Sequence, residues 1–151
     1  MRIADILRNK GSAVATVTAT TTVTGLLAEL AVHNVGAMVV IGQERSDAGA
    51  ESGVIGIVSE RDVVRRLHEQ GPDLLRRPVT EIMSGVEVTG CPDDPVDDLA
   101  ALMTNHRVRH VPVLRDGRLV GIVSIGDVVK NRMEELQAER QQLRAYITQG
   151  G

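Results

Sequence analysis

The sequence predicts an α+β (α/β) protein made of two tandem helix–strand–strand–helix repeats. The repeats should pack with pseudo-twofold symmetry, and a long C-terminal helix should follow them. Three observations predict this. The chain repeats itself, each copy alternates helical and strand periodicity, and a heptad-like stripe runs on past the second copy. Residues 54–64 read Val-Ile-Gly-Ile-Val-Ser-Glu-Arg-Asp-Val-Val, and residues 119–129 read Leu-Val-Gly-Ile-Val-Ser-Ile-Gly-Asp-Val-Val, 65 positions later. Upstream, Val23, Leu26, Leu30 and His33 match Val96, Leu99, Met103 and His106 at an offset of 73, and Asp5-Ile6-Leu7 resembles Glu81-Ile82-Met83. The fall from 73 to 65 places 8 extra residues in the first copy, within Gly42 to Gly53. That stretch is rich in Ser, Asp, Gly and Ala and reads as an exposed loop.

The elements follow in the same order in each copy. Val23, Leu26, Leu27 and Leu30 lie at i, i+3, i+4 and i+7, one face of a helix, with Thr21 as the expected cap. The second copy keeps Val96, Leu99 and Met103; Asp94 is placed to cap, Pro95 suits the first turn, and Asp97 and Asp98 favour the positive end. Two strands come next, Ala37–Ile41 with Val54–Val58, then His110–Leu114 with Leu119–Val123. An Asp116-Gly117 centre joins the second pair and is a strong hairpin signal. A second helix opens at Ser59 or Ser124, the first ending near Gly71-Pro72. The expected organisation is repeat 1 over 1–70, a linker over 71–78, repeat 2 over 79–129 and a helical extension over 130–151. One such unit is too small for a robust core, so the two must complete each other. Their symmetry predicts two equivalent clefts.

Composition narrows the function. At 151 residues with 42% hydrophobic and 25% charged content, the chain is of folded, globular type. A net charge of -3 and a single aromatic, Tyr146, argue against a nucleic-acid surface or stacking platform. The lone Cys91 excludes an intrachain disulfide and a thiolate zinc cage, and suits a reducing compartment. The N-terminus has no apolar signal core, and no apolar run nears the roughly 20 residues of a membrane span. A cytoplasmic protein with no membrane partner is expected. No nucleophile elbow, phosphate-binding Gly-Lys loop or His-Glu-x-x-His is present, so neither a catalytic residue nor a metal site is expected.

The recurring polar motif is Ser-x-x-Asp after an apolar strand: Ser59 to Asp62 and Ser124 to Asp127. It has two compatible readings. It is a capping box, satisfying free backbone N–H groups. It is also an anion site at a helix N-terminus, with a carboxylate able to accept both hydroxyls of a ribose. Arg107, Arg109 and His110 cluster before Val111-Pro112-Val113, and Arg61 sits inside the first motif. Arginine suits bidentate phosphate contacts. A solvated charged turn is the plainer account of any one of these arginines, in a chain with 15 Arg and 2 Lys.

With these motifs doubled and in order, the chain resembles a tandem pair of cystathionine-β-synthase-type domains, a CBS pair or Bateman module, from Ile3 to about Val129. The resemblance rests on Asp5-Ile6-Leu7, Val35-Gly36-Ala37-Met38-Val39-Val40 and Gly56 to Val64. Their partners are Glu81-Ile82-Met83, Val108 to Val113 and Gly121 to Asp127. It implies adenosine ligands: AMP, ADP, ATP, NAD(H) or S-adenosylmethionine, with AMP or NAD(H) the first choice. It implies ribose binding by Asp62 and Asp127, contacts from Ser59 and Ser124, and a base framed by Val35, Gly36, Ala37, Met38 and by Arg109, His110 and Val111. Adenine would lie among aliphatic groups such as Val35, Met38, Val108 and Val111, with polar atoms reading its edge. The first copy has Val39 where the second has Pro112, and Asn34 and Gly36 where the second has Arg107 and Arg109. The clefts are therefore unequal. Val129, Met133, Leu136, Arg140, Leu143 and Ile147 form the C-terminal stripe. Packing on its own domain, a homodimer contact and an unknown protein partner all stay open for it, and the resemblance favours the homodimer. The expected function is ligand-dependent regulation without catalysis. A ligand-free interaction module and a nucleotide hydrolase are the alternatives.

Overall fold

The computed structural model describes residues 1–11, 14–42 and 53–150. The order is α1 (Ile3–Lys10), β1 (Thr16–Thr18), α2 (Val23–His33), β2 (Ala37–Ile41), β3 (Val54–Ser59) and α3 (Glu60–Gln70). Two short 3-10 turns follow, Gly71–Arg76 and Val79–Glu81, then α4 (Val96–His106), β4 (His110–Arg115), β5 (Arg118–Ser124) and α5 (Ile125–Gln149). Both predicted strand pairs are antiparallel hairpins, with Ala37 opposite Ser59 and His110 opposite Ser124. β1 adds a third, parallel strand in the first repeat, where Val17 pairs with Val40. The second repeat keeps only a single parallel bridge there, Gly90 with Val113. The Asp116-Gly117 turn has φ of 52° and 75°, the left-handed pair that a two-residue hairpin requires.

Helix starts follow the local chemistry, with two corrections. Ser59 and Ser124 each cap a helix as full capping boxes. The cap of α2 is Thr22, whose Oγ1 accepts from the Gly25 N–H at 3.1 Å, rather than Thr21. Thr21 instead turns back to accept from the Thr18 N–H. Pro95 precedes α4, and the Asp94 carboxylate accepts from the Cys91 N–H at 2.8 Å. Asp94 therefore closes the preceding turn and not the helix.

The molecule has two hydrophobic clusters rather than one shared core, and each is finished by a segment of the other repeat. The first gathers Val17, Val23, Leu26, Leu30, Met38, Val40, Val58 and Val63, and takes in Leu74, Val79 and Ile82 from beyond α3. The second gathers Val96, Leu99, Met103, Val111, Val113, Val123 and Val128, and takes in Ile3 and Ile6 from α1. Each large aliphatic side chain buried in this way contributes about 1.5–3 kcal/mol. The exchange takes in Leu74, which is fully buried within the 71–78 stretch. It also fixes two glycines. A Cβ on Gly56 would lie 2.6 Å from Met83 Sδ, and one on Gly121 would collide with Leu7.

The pseudo-twofold relation is visible in paired bridges: Thr22 with Pro78 and, from the other repeat, Arg2 with Pro95. The inserted stretch expected to be an exposed loop lies, over 43–52, outside the described residues. The bond from the Gly42 N–H to Gly53 O, at 2.8 Å, closes its base. In α5 only Val128 and Asn131 are buried. The stripe Val129, Met133, Leu136, Leu143 and Ile147 is exposed.

Candidate functional site

The start of α3 and the turn from α4 into β4 face each other across the two repeats. Between them lies a cleft of about 440 Å³. Repeat 1 contributes Gly36, Ser59, Glu60, Arg61, Asp62 and Arg65; repeat 2 contributes His106 to His110, Pro112 and the 84–88 segment. The cleft is built by both copies, which is why one motif alone could not assign its charges.

At its floor the capping box is complete. The Ser59 backbone N–H and hydroxyl both donate to Asp62 Oδ2, at 2.8 and 3.0 Å, and the Asp62 N–H donates to Ser59 Oγ at 3.3 Å. The Ser59 hydroxyl is thus engaged inside the cap, while the Asp62 carboxylate borders the cleft. Arg61, Arg65, Arg107 and Arg109 line the same cleft, as do Glu60 and Glu87. Among the described residues none of the four arginines is in an ion pair. Arg107 ends α4 in the left-handed region at φ 54°, as Asn34 ends α2 at φ 52°. A β-carbon there is disfavoured, and Asn tolerates the position better than Arg. Burial lowers the pKa of His110, and the Lys10 and Arg109 charges lower it further, against the opposing pull of Asp127 and Glu60. A neutral imidazole beside unpaired guanidiniums and a helix N-terminus makes a setting for an oxyanion.

The counterpart of this motif lines a separate cavity. Asp127 lines a second cavity of about 420 Å³ with Ile6, Asn9, Lys10, Lys130, Asn131 and Glu134. Lys10 Nζ donates to Asp127 Oδ2 at 2.7 Å and to Ile122 O at 2.8 Å. The Ser124 N–H donates to the same Oδ2 at 2.8 Å, and Ser124 Oγ accepts from the Asp127 N–H at 3.2 Å. Burial opposes ionisation of Asp127, but the hydrogen bonds from Lys10 and Ser124 and the Lys10 charge outweigh it. The carboxyl is held below its ordinary range.

A profile of the CBS domain matches residues 3–69 and 79–134. The CBS domain-containing protein CBSX3, mitochondrial, of Arabidopsis thaliana is 36% identical over 155 residues, 99% of this chain and 72% of that protein. The CBS domain-containing protein YhcV of Bacillus subtilis is 36% identical over 126 residues, 83% of each chain. Among solved structures, ATU1752 from Agrobacterium tumefaciens superposes with a TM-score of 0.75 at 39% identity, over 87% of this chain and 99% of that one. PAE2072 from Pyrobaculum aerophilum, solved in complex with AMP, gives 0.69 at 31% identity, over 84% and 89%. This chain belongs to the CBS domain family. It is a tandem CBS pair, a regulatory module, with the five-helix mixed architecture of its neighbours.

Of the residues singled out in the CBS motifs, the cleft brings together Gly36, Ser59, Arg61, Asp62, Arg107, Val108, Arg109, His110 and Pro112. Ser124 and Asp127 belong to the other motif. Val35, Ala37, Met38 and Val111 are not among the residues that line this cleft; Met38 and Val111 are wholly buried in the two clusters, because alternate residues of a strand face the core. Ile57, Val86 and Val88 border the cleft beside Val108. Sequence reasoning missed Arg65, one turn into α3, and the 84–88 segment. The signal for Arg65 was its helical spacing from Arg61. The signal for Lys10 was its alignment with Val86 through the Asp5-Ile6-Leu7 match.

Proposed function

We propose that this CBS pair binds an adenine nucleotide, AMP or NAD(H) before ADP, ATP or S-adenosylmethionine, in the cleft between Ser59–Arg65 and His106–Pro112. Binding shifts the relation between the repeats, and an unknown protein partner reads the shift. The carrying observation is the Asp62 carboxylate at a helix N-terminus, in a cleft that it and Glu60 and Glu87 share with four arginines that make no ion pair among the described residues. Asp62 accepts the ribose hydroxyls. Arg61, Arg65, Arg107 and Arg109 take phosphate, and the aliphatic wall of Ile57, Val86, Val88 and Val108 covers the base. The AMP complex of PAE2072, at 31% identity, supports the ligand class. We read its output as regulatory, in keeping with the CBS pair to which the chain belongs. We place the protein in the cytoplasm, where the exposed Cys91 thiol stays reduced.

The test is calorimetric titration of ligand-stripped protein with AMP, ADP, ATP, NAD, NADH and S-adenosylmethionine. Saturable binding of an adenosine compound is expected, and Asp62→Ala should remove it. Silence across the panel from folded protein would sink this reading. It would favour a ligand-free interaction module, for which the exposed stripe on α5 is the specific observation.

A further inference from the structure

The two clefts of a symmetric pair should be chemically alike, and the bridges and glycine contacts of this chain do repeat from one side to the other. The repetition also fails beside the motif strand. In the first repeat Ile57 exchanges two backbone hydrogen bonds with Ser84, each 2.9 Å. The matching position Ile122 instead gives its carbonyl to the Lys10 ammonium. Lys10 aligns with Val86, which borders the first cleft and leaves Asp62 uncovered. One copy thus has a branched apolar side chain where the other has a cationic chain that reaches the motif carboxylate.

The ammonium takes two short acceptors, Asp127 Oδ2 and Ile122 O. The side chains are only 34% and 21% exposed, so water screens this pair less than one on the open surface. The Oδ2 that Lys10 occupies corresponds to the one that Asp62 offers only to its own Ser59. A ligand hydroxyl at Asp127 Oδ2 would have to displace the Lys10 ammonium, a charged partner brought from α1. Asp62 Oδ2 is bonded only within its own capping box.

We propose that Lys10 is a built-in occupant of the second cleft, holding Asp127 in place of a ribose, so that the chain takes one nucleotide at the Asp62 cleft and a second only when Lys10 is removed. This rests on the nucleotide reading of the first cleft. It makes a residue of α1, outside both Ser-x-x-Asp motifs, the determinant of how many ligands the pair carries.

The experiment is AMP titration of the full chain, wild type against Lys10→Met. One site is expected in the wild type, abolished by Asp62→Ala, and two sites in Lys10→Met, the new one abolished by adding Asp127→Ala. One site in both proteins overturns the Lys10 proposal alone. Two sites in the wild type overturn it as well. No binding in the wild type with one site in Lys10→Met overturns the first-cleft reading and upholds this one; no binding in either overturns both. A second measurement covers a variant that folds poorly. The chain has only two lysines, so lysine-labelled protein gives two side-chain NMR signals, assigned with Lys130→Arg. Saturation with AMP should leave the Lys10 signal in place, and a Lys10 signal that moves to a solvent-exposed position would show displacement by the nucleotide.

Discussion

Asp62 and Asp127 occupy equivalent positions in two capping boxes, yet their surroundings give them different tasks. Asp62 closes a helix and borders an arginine-lined cleft; Asp127 closes a helix and is clamped by Lys10. Hydrogen bonds to charged groups contribute about 1.5–3 kcal/mol each, and Asp62 is read as accepting two, so Asp62→Ala should weaken AMP binding by about 100-fold or more and remove it from the calorimetric trace. Loss of the cap should cost about 1 kcal/mol of stability. Ser59→Ala separates these effects: its hydroxyl is spent on the cap, so calorimetry should find affinity kept while denaturation finds a similar stability loss. Arg107 offers the opposite trade. Arg107→Asn, the residue that the first copy uses at the same left-handed turn, should raise the midpoint of urea unfolding while lowering affinity for AMP. A rise in both would remove Arg107 from the phosphate contacts. His110 adds a pH dependence. Its folded pKa is below 6.5, so the unfolded chain binds that proton first and the free protein loses stability as pH falls below 6.5. A phosphate beside the ring favours its charged form. Affinity for AMP should therefore rise from pH 8 to pH 6.5, with proton uptake seen as a dependence of the calorimetric heat on buffer. His110→Gln should flatten that rise.

At the scale of elements, the fold depends on what each repeat lends the other. α1 completes the second cluster, and the 74–82 stretch completes the first. The lent segments pass so close that Gly56 and Gly121 face Met83 and Leu7 with no room for a β-carbon. Gly56→Ala should be the more damaging substitution, because the Ser84 carbonyl oxygen also stands 2.8 Å from the added carbon and backbone yields less than a leucine side chain. Overpacking of this kind costs about 1–3 kcal/mol. Thermal unfolding of the two alanine variants checks the order, and equal midpoints would place the constraint in the side chains alone. Much of this level was legible in the sequence. The 65-residue echo, the heptad spacing of α2 and α4 and the Asp116-Gly117 hairpin all follow from short-range periodicity. The exchange of leading segments was not, because Ile3 and Leu74 read as ordinary apolar residues and only their distant contacts distinguish them. The caps Thr22 and Pro95 were misplaced by one residue for a related reason: Thr21 and Asp94 have suitable side chains, but nearby turns use them first.

At the scale of the whole molecule, the site was half legible. The Ser-x-x-Asp motifs and the arginines could be named from sequence, since their chemistry is local. Which motif faces which arginines depends on how the repeats cross, and that pairing joins Asp62 to Arg107 and Arg109 across the interface. Symmetry also organises the outer surface. Val64 on α3 is 67% exposed, and its repeat counterpart on α5, Val129, is 51% exposed. Beyond it α5 carries Met133, Leu136, Leu143 and Ile147, each more than half exposed, and from Arg132 on none of its described residues is buried. A free helix of this length with a sustained apolar seam is stabilised by a second helix, because burial of the stripe, more than propensity, holds a helix in water. The partner we propose is a second copy, and Arg140 inside the seam sets its register at some cost in affinity, as a polar residue in a heptad seam does. Light scattering should find a dimer in the wild type and a monomer in Leu136→Glu/Leu143→Glu. Neither leucine belongs to the two buried clusters, so the unfolding midpoint of the isolated fold should move little and AMP should still bind at the Asp62 cleft. A wild-type monomer would turn the stripe over to a different protein. A double variant that stays dimeric would move the contact to the Val64 face of α3, the other half of the symmetric pair.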